Sequence, residues 1–77
     1  MKKKIIELFS QIKPEFDDFE NKELISRGIL DSFDIISLCE AFNKEFGITI
    51  NGSDLIPDNF ESLDAMIAML SRIGVKD

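Results

Sequence analysis

Apolar residues recur every three or four positions in three separate segments of this sequence, and that period predicts three amphipathic α-helices. The apolar positions are Ile5, Leu8, Phe9 and Ile12 in the first segment, Ile35, Leu38, Cys39, Phe42 and Phe46 with Ile36 on the flank in the second, and Leu63, Met66, Ile67, Leu70 and Ile73 in the third. A helix with one apolar stripe must bury that stripe against another element. The three stripes therefore predict a small all-α bundle around one core.

Capping residues and helix breakers set the predicted ends of these helices. The first helix is predicted to run from about Lys3 to Lys13. It should end there because the helical conformation is disfavoured for a residue that precedes a proline, and Lys13 precedes Pro14. Either Asp31 or Ser32 can be the N-cap of the second helix. Gly47 is predicted to end the second helix, and the third helix is predicted to begin after a cap at Ser62 and to end at Gly74.

The segments between the helices complete the predicted fold. Apolar residues follow no helical or strand period over residues 15–30, so we expect a long loop anchored by isolated apolar residues. Loops of this length in small domains usually have a function. We expect an extended connector at 48–50 and a short helical turn at 53–56, before Pro57. The prediction is a four-helix bundle of three longer helices and one short helix, as a single domain over residues 1–77.

Charge and residue types exclude several classes of function. Fifteen Asp and Glu against nine Lys and Arg give a net charge of −6, which argues against a nucleic-acid partner. The chain has no histidine and one cysteine, Cys39, so it cannot form an internal disulfide or a Cys/His zinc site. It also lacks the commonest general base, and no acidic segment matches a calcium-binding EF-hand loop. We therefore expect neither a metal site nor a self-contained enzyme, and a buried Cys39 on the apolar stripe.

The first residues begin like a signal peptide but do not continue like one. Three lysines at 2–4 precede an apolar stretch that Glu7 and Gln11 interrupt before it reaches the length of a signal-peptide core. We expect an amphipathic helix in a cytoplasmic, monomeric protein that has no transmembrane segment. Its acidic surface should attract partner proteins with basic docking surfaces.

Ser32 lies where the long loop becomes a helix, between the carboxylates of Asp31 and Asp34. One interpretation is that Ser32 is a helix cap, because serine is favoured there. The other is that its hydroxyl is displayed for covalent modification, since a helix N-terminus favours an attached phosphate. The sequence places no base beside Ser32, so a partner protein would have to perform that chemistry. Phe33, next to it, falls outside the apolar stripe.

The run 28–38 (Gly-Ile-Leu-Asp-Ser-Phe-Asp-Ile-Ile-Ser-Leu), followed by Glu-Phe-Gly-Ile at 45–48 and Phe-Glu-Ser-Leu at 60–63, resembles the phosphopantetheine-binding acyl carrier proteins. The resemblance covers about residues 5–73, and the chain is similar in length to a free-standing carrier. It implies an acyl-carrier-like bundle in which a phosphopantetheinyl transferase joins 4′-phosphopantetheine from coenzyme A to Ser32. The thiol of that group would hold acyl intermediates as thioesters for enzymes of fatty-acid, polyketide or related biosynthesis.

The resemblance also implies roles for residues around Ser32. Asp31 matches the acid that contacts the transferase, Asp34 a second acid of the recognition region, and Phe33 an apolar position that packs against partner enzymes. We expect Asp31, Asp34, Glu40 and Glu45 to steer the transferase, the loading synthetase and downstream synthases. The dense acidic face of fatty-acid carriers is interrupted here by Ser37, Asn43 and Lys44.

The cargo remains open at the level of sequence. Phe33 is similar to the residue of D-alanyl and other aminoacyl carriers, so an aminoacyl carrier is an alternative, as is an acidic helical interaction module without a prosthetic group. If the second and third long helices pack side by side, Ile36, Phe42, Leu63 and Ile67 face one another as a cargo pocket. Seven phenylalanines leave little room there, which favours a short acyl or aminoacyl cargo.

Overall fold

The computed structural model describes residues 1–76 of the chain and contains three α-helices and no strand within that range. The helices are α1 (Lys2–Ile12), α2 (Ser32–Phe46) and α3 (Leu63–Ile73), with short 3₁₀ turns at Gly52–Asp54 and Pro57–Asn59. All three longer helices match their predicted positions to within one residue. The all-helical class predicted from the three stripes is therefore confirmed.

The predicted stop and start signals act as expected at α2 and α3. Gly47 adopts a left-handed conformation with φ of 64°, and its N–H donates to the carbonyl of Asn43. The hydroxyl of Ser62 accepts a hydrogen bond of 3.0 Å from the N–H of Ala65 and thereby caps α3. Gly74 ends α3 with φ of 119°. These local interactions fix both ends of the loop that connects α2 and α3.

Side chains from all three helices and from the connecting loops form one hydrophobic core. Buried Cys39 belongs to it, as predicted, and burial raises the pKa of its thiol. The fully buried large side chains are Ile5, Phe9, Leu24, Leu30, Leu38, Phe42, Phe60, Leu63, Met66, Met69 and Leu70. Met69 was not expected in the core, whereas Ile67 and Ile73 are only partly buried. The buried stripe of α3 is thus turned slightly from its predicted direction.

Helix α1 packs against both other helices, most extensively against α2. Helices α2 and α3 both contribute buried side chains to the same core, among them Phe42 of α2 and Met66 of α3. Helix α3 also packs on the 3₁₀ turn Pro57–Asn59.

The long first loop is tied to the core by aromatic and apolar side chains, as predicted. The rings of Phe9, Phe16 and Phe19 form a trio with centroid separations of 5.3, 5.5 and 5.6 Å. Leu24 and Leu30 are fully buried near the end of the loop. The loop therefore delivers the chain to the start of α2 in a defined position.

The expected short fourth helix is replaced by the two 3₁₀ turns. Ile56, the residue before Pro57, has an extended backbone, so the two turns of three residues each stay separate and form no continuous helix. The side chain of Asn59 joins the two turns by donating to the carbonyl of Asp54 at 2.7 Å, and it accepts from Arg72 at 3.0 Å. Over residues 1–76, no helix has the length and apolar content that crossing a bilayer requires.

Candidate functional site

The start of α2 is held by a reciprocal pair of hydrogen bonds between Asp31 and Asp34. The carboxylate of Asp31 accepts from the N–H of Asp34 at 3.0 Å, and the carboxylate of Asp34 accepts from the N–H of Asp31 at 3.1 Å. This arrangement is a capping box, in which two N–H groups left open at a helix start are satisfied together. Asp31 is therefore the N-cap, which decides between the two residues that the sequence allowed.

Ser32 is consequently not needed as a cap. It is the first residue of α2, its side chain is exposed, and within the described part of the chain its hydroxyl makes no hydrogen bond. The positive end of the helix dipole lies at the same place, and this favours a negative group attached to the hydroxyl. The observed geometry thus suits a serine that receives a phosphodiester-linked group.

The carboxyl group of Asp31 is kept ionised beside Ser32. The hydrogen bond from the Asp34 N–H is the largest cause that lowers the pKa of Asp31, and the positive charge of Lys13 adds to it. Asp31 itself is exposed, so its negative charge faces solvent next to the serine hydroxyl.

Asp34, which was expected to present its charge to partners, is mostly buried, with 8% of its surface exposed. Its carboxylate accepts the capping-box hydrogen bond and pairs with the ammonium of Lys13 at 3.1 Å. Sequence reasoning missed both roles. The spacing of an aspartate three residues after an N-cap aspartate is a recognisable capping signal and could have revealed the first. The contact with Lys13 depends on how α1 packs against α2, which the local sequence does not encode.

Exposed apolar side chains surround Ser32. Phe33 is 74% exposed, which agrees with its predicted position outside the stripe, and Ile36 lies one turn further along the same side of α2 at 51% exposure. Ser32, Ile35, Ile36 and Leu55 line a shallow depression of about 230 Å³. An apolar surface therefore adjoins the serine hydroxyl directly.

The predicted cargo pocket is not assembled as expected. Ile36 points outward because it lies two residues, about 200° of helical rotation, from the buried Leu38. Phe42 and Leu63 are fully buried in the core, and Ile67 is partly buried at its edge. These three residues remain candidates for contact with a cargo, but Ile36 faces the surface depression instead.

The acids further along α2 are exposed, as the recognition hypothesis requires, but they lie among positive charges. The carboxylate of Glu45 is 3.7 Å from the ammonium of Lys4, a residue of α1. Glu40, Lys44 and Glu45 lie together on the wall of a groove of about 510 Å³ that residues of α1 and α2 form. This part of the surface is of mixed charge rather than uniformly acidic.

Comparison with known proteins gives one match. A family model described as a phosphopantetheine attachment site matches residues 4–70, a span that begins within α1 and reaches into α3. It covers both the Ser32 turn and the helices that support it. No curated protein and no solved structure gives a significant match.

Proposed function

The chain belongs to the phosphopantetheine attachment-site family, and we propose that Ser32 is the residue to which 4′-phosphopantetheine is attached. The proposal rests on the different roles of Asp31 and Ser32 at the start of α2. Asp31 caps the helix, so the exposed hydroxyl of Ser32 is left without a structural role. The dipole of α2 suits an attached phosphate, and the apolar depression beside Ser32 suits the methyl and methylene groups of the arm that follows it.

The attachment is a phosphoryl transfer that a separate transferase performs. The Ser32 oxygen forms a bond to the phosphorus that bears pantetheine in coenzyme A, and the bond from that phosphorus to the bridging pyrophosphate oxygen breaks. Adenosine 3′,5′-bisphosphate leaves, and the hydroxyl proton passes to a base of the transferase. The ionised carboxylate of Asp31 is close enough to Ser32 to help bind the transferase's metal ion or a basic side chain.

The attached group supplies a thiol on a long flexible arm, where a cargo is held as a thioester. We propose that the protein carries acyl intermediates and presents them to biosynthetic enzymes, with an aminoacyl cargo as the alternative. The residues of the protein then serve to hold the arm and to recognise partners. They perform no chemistry on the cargo.

Partner enzymes are proposed to dock over the apolar surface beside Ser32. Phe33 and Ile36 provide exposed apolar area at the serine, while Glu40 and Glu45 provide charge that steers a basic partner. Phe33→Ala should lower the transferase efficiency at every salt concentration, because apolar contact is not screened. The double change Glu40→Gln and Glu45→Gln should reduce its salt dependence. Efficiency that responds to neither change would contradict docking at this face.

Peptide mapping tests the attachment residue. The protein is incubated with a phosphopantetheinyl transferase and coenzyme A, digested and sequenced by mass spectrometry. We expect the added group on the peptide containing Ser32, its loss in Ser32→Ala, and its retention in Ser37→Ala, a matched change in the same helix. A group found on Ser37 or Ser62 would refute the assignment.

A further inference from the structure

We propose that Lys13 is a positioning residue for the attachment serine, because its ammonium holds the capping box that presents the Ser32 hydroxyl. The inference rests on the proposed function of Ser32. It goes further by giving a role in the transfer to the residue that follows α1, outside the Asp-Ser segment. Lys13 acts through Asp34 and does not contact the transferred group.

The contacts form a chain from the end of α1 to the turn that contains Ser32. Lys13 follows α1 directly, and its backbone N–H donates to the carbonyl of Phe9 at 2.8 Å, which fixes the base of the side chain. Its ammonium reaches the same oxygen of Asp34 that accepts the N–H of Asp31. One carboxylate oxygen therefore joins α1 to the peptide group immediately before the Asp31–Ser32 pair.

The other side of the turn is anchored independently. Leu30 is fully buried, and its N–H donates to the carbonyl of Leu24 at 3.0 Å. The segment from Leu30 to Asp34 is thus held at one end by the core and at the other by Lys13. Between these anchors Ser32 is exposed, and its orientation depends on both.

Electrostatics explains why a cation is needed at this place. Asp31 and Asp34 bring two carboxylates into one capping box, and Asp34 is buried. A buried carboxylate beside another negative charge is unfavourable unless a positive charge compensates it. Lys13 supplies that charge at 3.1 Å, so removing it should loosen the hydrogen bonds of the box while the core of the helices persists.

The test compares the transfer kinetics of four folded single variants and one double variant with those of the wild-type protein. Lys13→Met removes the charge but keeps the aliphatic stem, and Lys13→Arg retains the charge. Lys2→Met is the matched control, because Lys2 pairs with Glu20 at 3.4 Å but is not part of the capping box. A serine displaced from its productive orientation should lower kcat about tenfold in Lys13→Met with little change in KM. Lys13→Arg should restore kcat, and Lys2→Met should leave it unchanged.

The fourth variant, Asp34→Asn, shows whether Lys13 acts through Asp34. If it does, adding Lys13→Met to Asp34→Asn should produce no further loss of kcat. A second readout is amide hydrogen exchange at Asp31, which should accelerate in Lys13→Met while exchange at Phe42 in the core stays unchanged. A purely global loss of stability would accelerate both.

The outcomes separate this inference from the proposed function. Normal kcat and Asp31 exchange in Lys13→Met, with the wild type modified at Ser32, would overturn the positioning role alone. A raised KM at unchanged kcat, still present in the Asp34→Asn background, would make Lys13 a direct docking residue and also overturn it. A wild-type protein that is not modified at Ser32 would overturn both proposals.

Discussion

Asp31 and Ser32 are adjacent polar residues at the same helix end, yet the structure gives them different tasks. The carboxylate of Asp31 is engaged in the capping box, and the hydroxyl of Ser32 is exposed and makes no hydrogen bond within residues 1–76. Residue type alone does not distinguish them, because both serine and aspartate are favoured caps. The distinction matters for function, since a serine that capped the helix could not be modified without cost to the fold.

Ser32→Ala should therefore leave the free energy of unfolding within about 0.5 kcal/mol of the wild-type value, as for an exposed side chain without partners. Asp31→Ala removes the cap and should destabilise the protein by more than Ser32→Ala does. Urea unfolding of the two variants measures the difference. A larger loss in Ser32→Ala would mean that the serine, and not Asp31, caps α2.

Asp34 differs from the other acids of α2 because it is buried and paired. Asp34→Ala leaves the N–H of Asp31 and the ammonium of Lys13 without their acceptor, which should cost about 2 kcal/mol of stability. Glu40→Ala, the matched change at an exposed acid of the same helix, should cost less than about 0.5 kcal/mol. Equal losses in urea unfolding would contradict the structural role of Asp34. Partner recognition is accordingly better probed at Glu40 and Glu45.

At the scale of elements, the first loop is fastened to the start of α3 by Glu61. Its carboxylate accepts from the N–H groups of Ile25 and Ser26 at 2.7 and 3.0 Å and from the hydroxyl of Ser26. Its backbone carbonyl accepts from the N–H of Leu24 at 2.9 Å. One residue therefore joins the loop that leads to Ser32 to the segment that precedes α3.

This contact predicts a dependence of stability on pH. The hydrogen bond from the Ser26 hydroxyl is the largest cause that lowers the pKa of Glu61 below its usual value of 4.5. A carboxyl group with a lowered pKa in the folded state stabilises the protein above 4.5, and that contribution disappears as the pH falls through the folded value. Glu61→Gln should therefore lose less stability than the wild type on acidification below 4.5, as urea unfolding at a series of pH values would show. Parallel pH profiles for the two proteins would contradict the prediction.

The helices could be predicted from sequence because their signals are local. The stripes, the stop at Gly47 and the cap at Ser62 act within a few residues, and each was placed correctly. Ile36 was misplaced because an apolar residue on the flank of a stripe can face either way, and tertiary packing decides. The short helical turn expected at 53–56 is present as the 3₁₀ turn Gly52–Asp54. The second turn, Pro57–Asn59, was not predicted, because the side-chain bonds of Asn59 that organise this segment reach to Arg72 in α3.

On the scale of the whole molecule, the core limits what the protein can enclose. Phe42, Leu63 and Met66 are already fully buried, so a long acyl chain would have to displace them to enter between the helices. The apolar depression at Ser32 offers room outside the core instead. This arrangement is consistent with the short cargo predicted from the phenylalanine content.

Thermal unfolding of the loaded protein tests the cargo size. With acyl chains of increasing length on the arm, the midpoint should change little, because the added methylenes stay outside the core. Insertion into the core would instead add up to about 0.8 kcal/mol for each buried CH₂, so the midpoint would rise steadily with chain length. A steady rise would contradict the short-cargo prediction, and the unloaded protein with its arm attached is the control.

Intact mass tests most directly whether the protein is a carrier that uses Ser32. The wild-type chain and Ser32→Ala are each expressed together with a phosphopantetheinyl transferase, purified and weighed by mass spectrometry. We predict that the wild type gains the mass of one phosphopantetheine group and that Ser32→Ala, which should be equally folded, gains none. An unchanged wild-type mass would indicate an acidic interaction module without a prosthetic group, and a mass gain in Ser32→Ala would place the arm on another residue.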